Sequence, residues 1–63
     1  LRAGVLKRAQ EELVSLGMLE EEMADGTFGP ASEAAFSAFQ KDRKLGETGL
    51  PDTATLYLLL QVK

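Results

Sequence analysis

Asp25-Gly26-Thr27-Phe28-Gly29-Pro30 is the stretch on which the reading of this chain turns. Pro30 suits the first position of a helix, where its missing N–H would have no intrahelical partner in any case. That makes Gly29 the N-cap and predicts a helix from Pro30 to about Arg43. Gly26, which lacks a Cβ, suits a tight turn at positive φ just ahead of it. Glu33 falls in the first turn of this helix. Lys41, Arg43 and Lys44 fall at its far end, so both signs match the helix dipole. Ala35, Phe36 and Phe39 form the stripe expected to be buried. Ala31, Ala34 and Ala38 are small enough to admit a neighbouring helix. Phe28 is expected in the core, because so short a chain has few large apolar residues to fill one.

Upstream, Leu6, Ala9, Leu13 and Leu16 recur on one side of a helix predicted from Val5 to Leu16. Gly17 then suits a left-handed C-terminal cap. Met18 to Ala24 is a connector. Its Glu20-Glu21-Glu22 run reads as a solvated acidic turn, since adjacent carboxylates do not converge and the alternating ligands of a calcium loop are missing. Downstream, Leu45 to Pro51 forms a second connector containing Gly46 and Gly49. Asp52 caps a third helix, predicted from Thr53 to about Val62. The apolar density of Leu56 to Leu60 places that helix between the other two. The expected architecture is all-α: a compact three-helix bundle with two Gly-rich connecting turns, one domain over residues 1–63.

The second and third helices open alike. Gly26, Gly29, Ser32 and Phe36 are matched 23 residues later by Gly49, Asp52, Thr55 and Leu59. Each set supplies a turning glycine, a cap, a hydroxyl at the third helical position and a core residue one turn on. The hydroxyl is expected to bond back toward its cap. Two such units are too few for a solenoid.

Composition narrows the function. The chain has no cysteine and no histidine. It therefore has no thiolate nucleophile, no disulfide, and neither the commonest zinc ligand nor the usual base near neutral pH. A paired-carboxylate mechanism needs two acids facing one cleft, and no partner for Asp25 is visible. No active site, metal or cofactor is expected. The net charge of −3 argues against nucleic acid, whose binding rests on phosphate neutralisation, and against an anionic membrane surface. Membrane insertion is not expected either, since the longest apolar run is far too short to span a bilayer. A monomer is expected. No signal peptide is visible, and the chain reads as a domain belonging to a longer protein.

The ordered set Ala9-Gln10, Leu13, Leu16-Gly17-Met18, Asp25-Gly26-Thr27-Phe28-Gly29-Pro30, Ser32, Phe39-Gln40, Thr48-Gly49, Asp52 and Thr55-Leu56 resembles the three-helix peptidoglycan-binding domain family. The resemblance spans residues 5 to 62. Ala9 stands where the family has Leu, Ser32 where it has Thr, and Lys44 where Gly is usual. Met18 replaces a Tyr and Leu56 a Trp. The resemblance implies a non-catalytic module that attaches to peptidoglycan, through its glycan or its stem peptide. It implies a place in the bacterial cell envelope or a secreted protein, and a linked catalytic domain, such as a cell-wall hydrolase, delivered to the murein. A related fold covers a protease in the pro-segments of matrix metalloproteinases, so the fold alone does not fix the ligand. The competing expectation is a scaffold that has lost glycan binding and packs on a neighbouring protein domain. Met18, Leu56 and the acidic turn favour it.

Five residues are candidates for ligand contact: Asp25, Thr27, Gln40, Thr48 and Tyr57. Asp25 either accepts from a ligand or closes its own turn on downstream N–H groups. The Gln40 amide either reads a stem peptide or ties a loop to its helix. Thr27 and Thr48 are expected to be exposed polar groups, and Tyr57 is the aromatic contact. The expected site is a shallow groove where the Asp25–Pro30 turn meets the start of the third helix, with helix N–H groups suited to carboxylates.

Overall fold

The computed structural model describes residues 3–61. It contains α1 (Ala3–Ser15), α2 (Pro30–Asp42) and α3 (Thr53–Leu60), with a single 3₁₀ turn at Glu21–Met23 and no strand among the described residues. The all-α three-helix reading stands, with ends shifted by one or two residues. Arg43 is the C-cap of α2 and Gln61 that of α3. Val62, the expected end of the third helix, lies outside the described residues.

Local chemistry explains where the helices begin and stop. Gly29 is the extended N-cap of α2, with Pro30 in the first turn. Asp52 caps α3 by accepting from the Thr55 N–H at 3.0 Å. After α1, the Met18 N–H reaches the Leu13 carbonyl and the Gly17 N–H reaches the Val14 carbonyl, both at 2.9 Å. This crossed pair is the Schellman termination. The end of α2 repeats it, with Leu45 N–H to Gln40 at 2.7 Å and Lys44 N–H to Lys41 at 3.1 Å. Here the left-handed position is held by Lys44, at φ 62°, rather than by glycine.

The core consists of Leu6, Ala9 and Leu13 from α1, Ala35, Phe36 and Phe39 from α2, and Leu59 from α3. Leu16, Met18, Leu19, Leu56, Leu58 and Leu60 pack around it, partly buried. The third helix touches both others, and α1 most extensively. Two expectations are corrected. Ala34 and Ala38 are exposed, because they follow each other one turn apart on a row about 100° away from Ala35 and Phe39; the close approach to α2 runs over Ala35. Phe28 is not core: it is 38% exposed and lies over Phe36 with ring centroids 6.1 Å apart. It precedes the helix in a turn whose backbone is fixed, so its ring roofs the core from outside.

Lys44 carries a cost that a glycine would not. A side chain in the left-handed region loses roughly 1–2 kcal/mol to Cβ crowding, partly offset by the greater unfolded-state freedom of glycine. Lys44→Gly is expected to stabilise the domain by about 0.5–1 kcal/mol, raising the thermal midpoint by a few degrees at this chain length. Thermal and urea unfolding followed by circular dichroism check this; an unchanged or lower midpoint would show that the Lys44 side chain compensates.

Candidate functional site

Each of the first two helices holds the turn that follows it through one buried glutamine. Gln10 and Gln40 have no exposed surface, although both are polar. Each sits one turn after a core residue, Leu6 and Phe36, on the buried face of its helix. The Gln10 Oε1 accepts from the Gly26 N–H at 2.7 Å. Its Nε2 donates to the Thr27 carbonyl at 3.0 Å and to the Ser32 hydroxyl at 2.7 Å. The Gln40 Oε1 accepts from the Gly49 N–H at 2.9 Å. Its Nε2 faces the Leu50 carbonyl at 2.9 Å, the Thr55 hydroxyl at 2.8 Å and the Thr48 hydroxyl at 3.0 Å. Backbone carbonyls cannot donate, so they fix which end of each amide is nitrogen.

The 23-residue echo is therefore a repeated clamp. An amide on one helix grips the glycine N–H, the following carbonyl and the third-position hydroxyl of the next turn-helix unit. For Ser32 this corrects the expected role: its hydroxyl receives the glutamine of the preceding helix, whereas the Thr55 hydroxyl receives Gln40 and also bonds back to its cap Asp52, as expected. Gly26 and Gly49 sit at φ 82° and 72°, which presents their N–H groups inward. A Cβ on Gly49 would also lie 2.8 Å from the Glu33 Cγ. Among the described residues, every buried side-chain polar atom has a partner. That matters because an orphaned one costs about 1–3 kcal/mol.

The clamps set the fate of each candidate residue. Gln40 ties the loop; with its amide buried and engaged, it offers nothing to a stem peptide. Thr48 is exposed, but its hydroxyl also accepts from the Leu50 N–H at 3.1 Å and lies 3.3 Å from Asp52 Oδ2. Asp25 closes its turn, Oδ1 accepting from the Thr27 N–H at 2.9 Å. Thr27 is exposed, and its hydroxyl has no partner among the described residues. Tyr57 is 62% exposed. Its neighbour Leu56 packs against the core instead, the separation that about 100° per residue dictates.

Among the described residues, Thr27 and Tyr57 line different depressions. Thr27 lines a shallow depression with Met23, Asp25, Gly29, Pro30, Ala31 and Ser32. Tyr57 lines a separate one on α3 with Thr53, Leu56, Leu60 and Gln61. A third lies over Lys7, Glu11, Val14, Glu21 and Ala24. There the Lys7 Nζ donates to the Ala24 carbonyl at 2.9 Å and faces Glu11 at 3.6 Å, holding the connector against α1. Glu20, Glu21 and Glu22 are exposed, and no three acids converge to hold a metal among the described residues. Sequence reasoning missed Gln10, although a polar residue within an apolar helical stripe was the available signal.

Hydrogen bonds from Thr55, through its hydroxyl and then its N–H, hold the Asp52 carboxyl below its ordinary range; the Thr48 hydroxyl adds to this, against slight desolvation.

Comparison with known families gives one result. The model of a peptidoglycan binding domain family matches residues 3–59. That span runs from the first described residue to the last core residue, Leu59. No curated protein and no solved structure matches the chain.

Three outcomes follow from the clamp and the cap. Gln40→Ala is expected to cost about 2–3 kcal/mol, because it leaves the Gly49 N–H and its companions unsatisfied. Gln40→Glu is expected to be worst near neutral pH and to recover as pH falls, since protonation restores a donor toward the Leu50 carbonyl. Urea midpoints between pH 3 and 7 test both, and a flat profile for Gln40→Glu would contradict the clamp. For Asp52, the folded pKa lies below the unfolded one. Its contribution is therefore complete above the ordinary aspartate range and is lost as pH falls through the lowered folded value. Asp52→Asn should remove that acid-side slope from the urea midpoint while keeping a cap; an unchanged slope would assign it to other carboxylates.

Proposed function

The chain belongs to the peptidoglycan-binding domain family, and from that premise we propose that it is a non-catalytic anchor that holds a linked domain, a cell-wall hydrolase, against the murein. The family implies peptidoglycan as partner and the cell wall or envelope as setting. Domains of this kind are generally non-catalytic. No helix among the described residues is long and apolar enough to cross a membrane.

The observation that carries the reading is the clamped Asp25–Gly29 turn. Its backbone groups are drawn inward by Gln10, while Thr27 keeps an unspent hydroxyl at the surface. A fixed turn of this kind presents a polar contact without an ordering cost on binding. Asp25 supports it from beside, and Gln40 and Thr48 support α3 in the same way. Peptidoglycan contact is thus assigned to Thr27 and Tyr57, with Asp25, Gln40 and Thr48 positioning the surfaces they stand on.

A second reading has its own support. The α3 depression around Tyr57 is predominantly apolar, and Met18 and Leu56 stand where the family has aromatics. Such a surface suits packing on a neighbouring protein domain.

Co-sedimentation with purified sacculi separates the two. The anchor reading expects the chain in the pellet, with retention weakened when Thr27 and Tyr57 are both replaced by alanine in a folded protein. Wild-type chain left wholly in the supernatant would favour the packing domain. Undiminished retention by the double variant would remove these residues from the contact.

A further inference from the structure

We infer that the exposed face of α3 is the glycan-facing part of the domain, with a neutral sugar ring stacked on Tyr57 between Thr53 and Gln61. The inference rests on the peptidoglycan-binding reading and goes further by naming the component and the face.

Three observations support it. The first is the choice of ring. Of the four aromatic side chains, Phe36 and Phe39 are fully buried and Phe28 lies against Phe36. Tyr57, 62% exposed, is the one whose faces are open. An aromatic face offers a flat apolar surface to the C–H face of a pyranose, and its hydroxyl can contact the polar edge.

The second is charge. Thr53, Leu56, Tyr57, Leu60 and Gln61 line this depression, and none of these side chains carries a formal charge at neutral pH. The other described depressions hold charge: Lys7, Glu11 and Glu21 in one, Glu20 in another, Asp25 in the third. A lining free of formal charge among the described residues, on a chain of net charge −3, suits the uncharged body of a sugar. A stem peptide, whose carboxylates and amines pair best with charged side chains, finds none in this lining.

The third is spacing. Thr53, Tyr57 and Gln61 follow at i, i+4 and i+8, so they form one row along the helix. The C-cap Gln61 keeps helical dihedrals, φ −88° and ψ −9°, so the row continues to its end. At 1.5 Å per residue, the row is about 12 Å long. A hydroxyl and an amide thus flank the ring about one helical turn away on each side, placed to meet the hydroxyl and acetamido groups of adjoining sugars. Leu56 and Leu60 form the floor beside it.

The test uses the 63-residue chain in two titrations followed by amide chemical shifts: chitotetraose, which is N-acetylglucosamine without peptide, and a free stem peptide. Shifts from chitotetraose are expected over residues 53–61. Tyr57→Ala should weaken them about tenfold, the scale of losing one stacked ring, and Tyr57→Trp should preserve or strengthen them. Because Tyr57 is mostly exposed, both variants should keep the wild-type circular dichroism and thermal midpoint. Shifts over residues 53–61 caused by the stem peptide alone, or chitotetraose binding unchanged by Tyr57→Ala, would overturn the inference. Sacculus co-sedimentation separates this failure from that of the parent reading. If wild type and Tyr57→Ala pellet equally, the anchor stands and the α3 assignment falls. If wild type does not pellet, both fall, and a protein partner becomes the occupant of the face.

Discussion

Two buried side-chain amides hold this domain in shape. Gln10 and Gln40 reach no water, and each must therefore find all its partners within the chain. The partners are main-chain groups of the two connecting turns and a hydroxyl at the start of the helix that follows, with the Thr48 hydroxyl as a further partner of Gln40. Removing either amide would strand its backbone partners in a dry interior, where the cost exceeds what a typical hydrogen bond contributes. The turns are thereby bound to the helices by the same requirement that binds the helices to one another.

For a chain of this size the arrangement has a clear advantage. Among the described residues the apolar core is seven side chains, two of them alanines, and the chain has no cysteine to form a disulfide that would restrict the unfolded state. Hydrophobic burial in so small a volume is non-directional and would tolerate several packings of three short helices. The amides are directional. Each specifies which turn meets which helix and at which residue, so the clamps select one topology among those the apolar residues allow. Ser32 in place of the family threonine keeps the acceptor, and Lys44 in place of glycine keeps the Schellman bonds at some steric cost.

The same division of labour separates scaffold from surface. Residues of the signature turn act mainly inward: Gly26 gives its N–H to Gln10, Gly29 and Pro30 start α2, and Asp25 closes its own turn. The contacts proposed above, the Thr27 hydroxyl and the α3 row through Tyr57, lie at the margin, on exposed residues. These two places are distinct depressions, so contact with an extended polymer such as peptidoglycan would involve two patches rather than one groove.

The sequence by itself determined the three helices, their caps and most of the core. Those features follow from short-range rules that can be read along a chain: apolar spacing, Pro30 after Gly29, Asp52 three residues before the Thr55 N–H. It also carried the 23-residue echo, and with it the family. It left Asp25 and Gln40 each with two roles, and it placed Phe28 in the core and Thr27 and Tyr57 in one groove. Only the tertiary structure decided these points. Whether an amide faces a loop or a ligand depends on what another helix brings to within 3 Å. Gln10 meets Gly26 across 16 positions of chain, a separation over which sequence spacing carries no geometric information. The two patches are apart for the same reason: local periodicity sets which way a side chain leaves its helix, and only the packing of helices sets which outward faces adjoin.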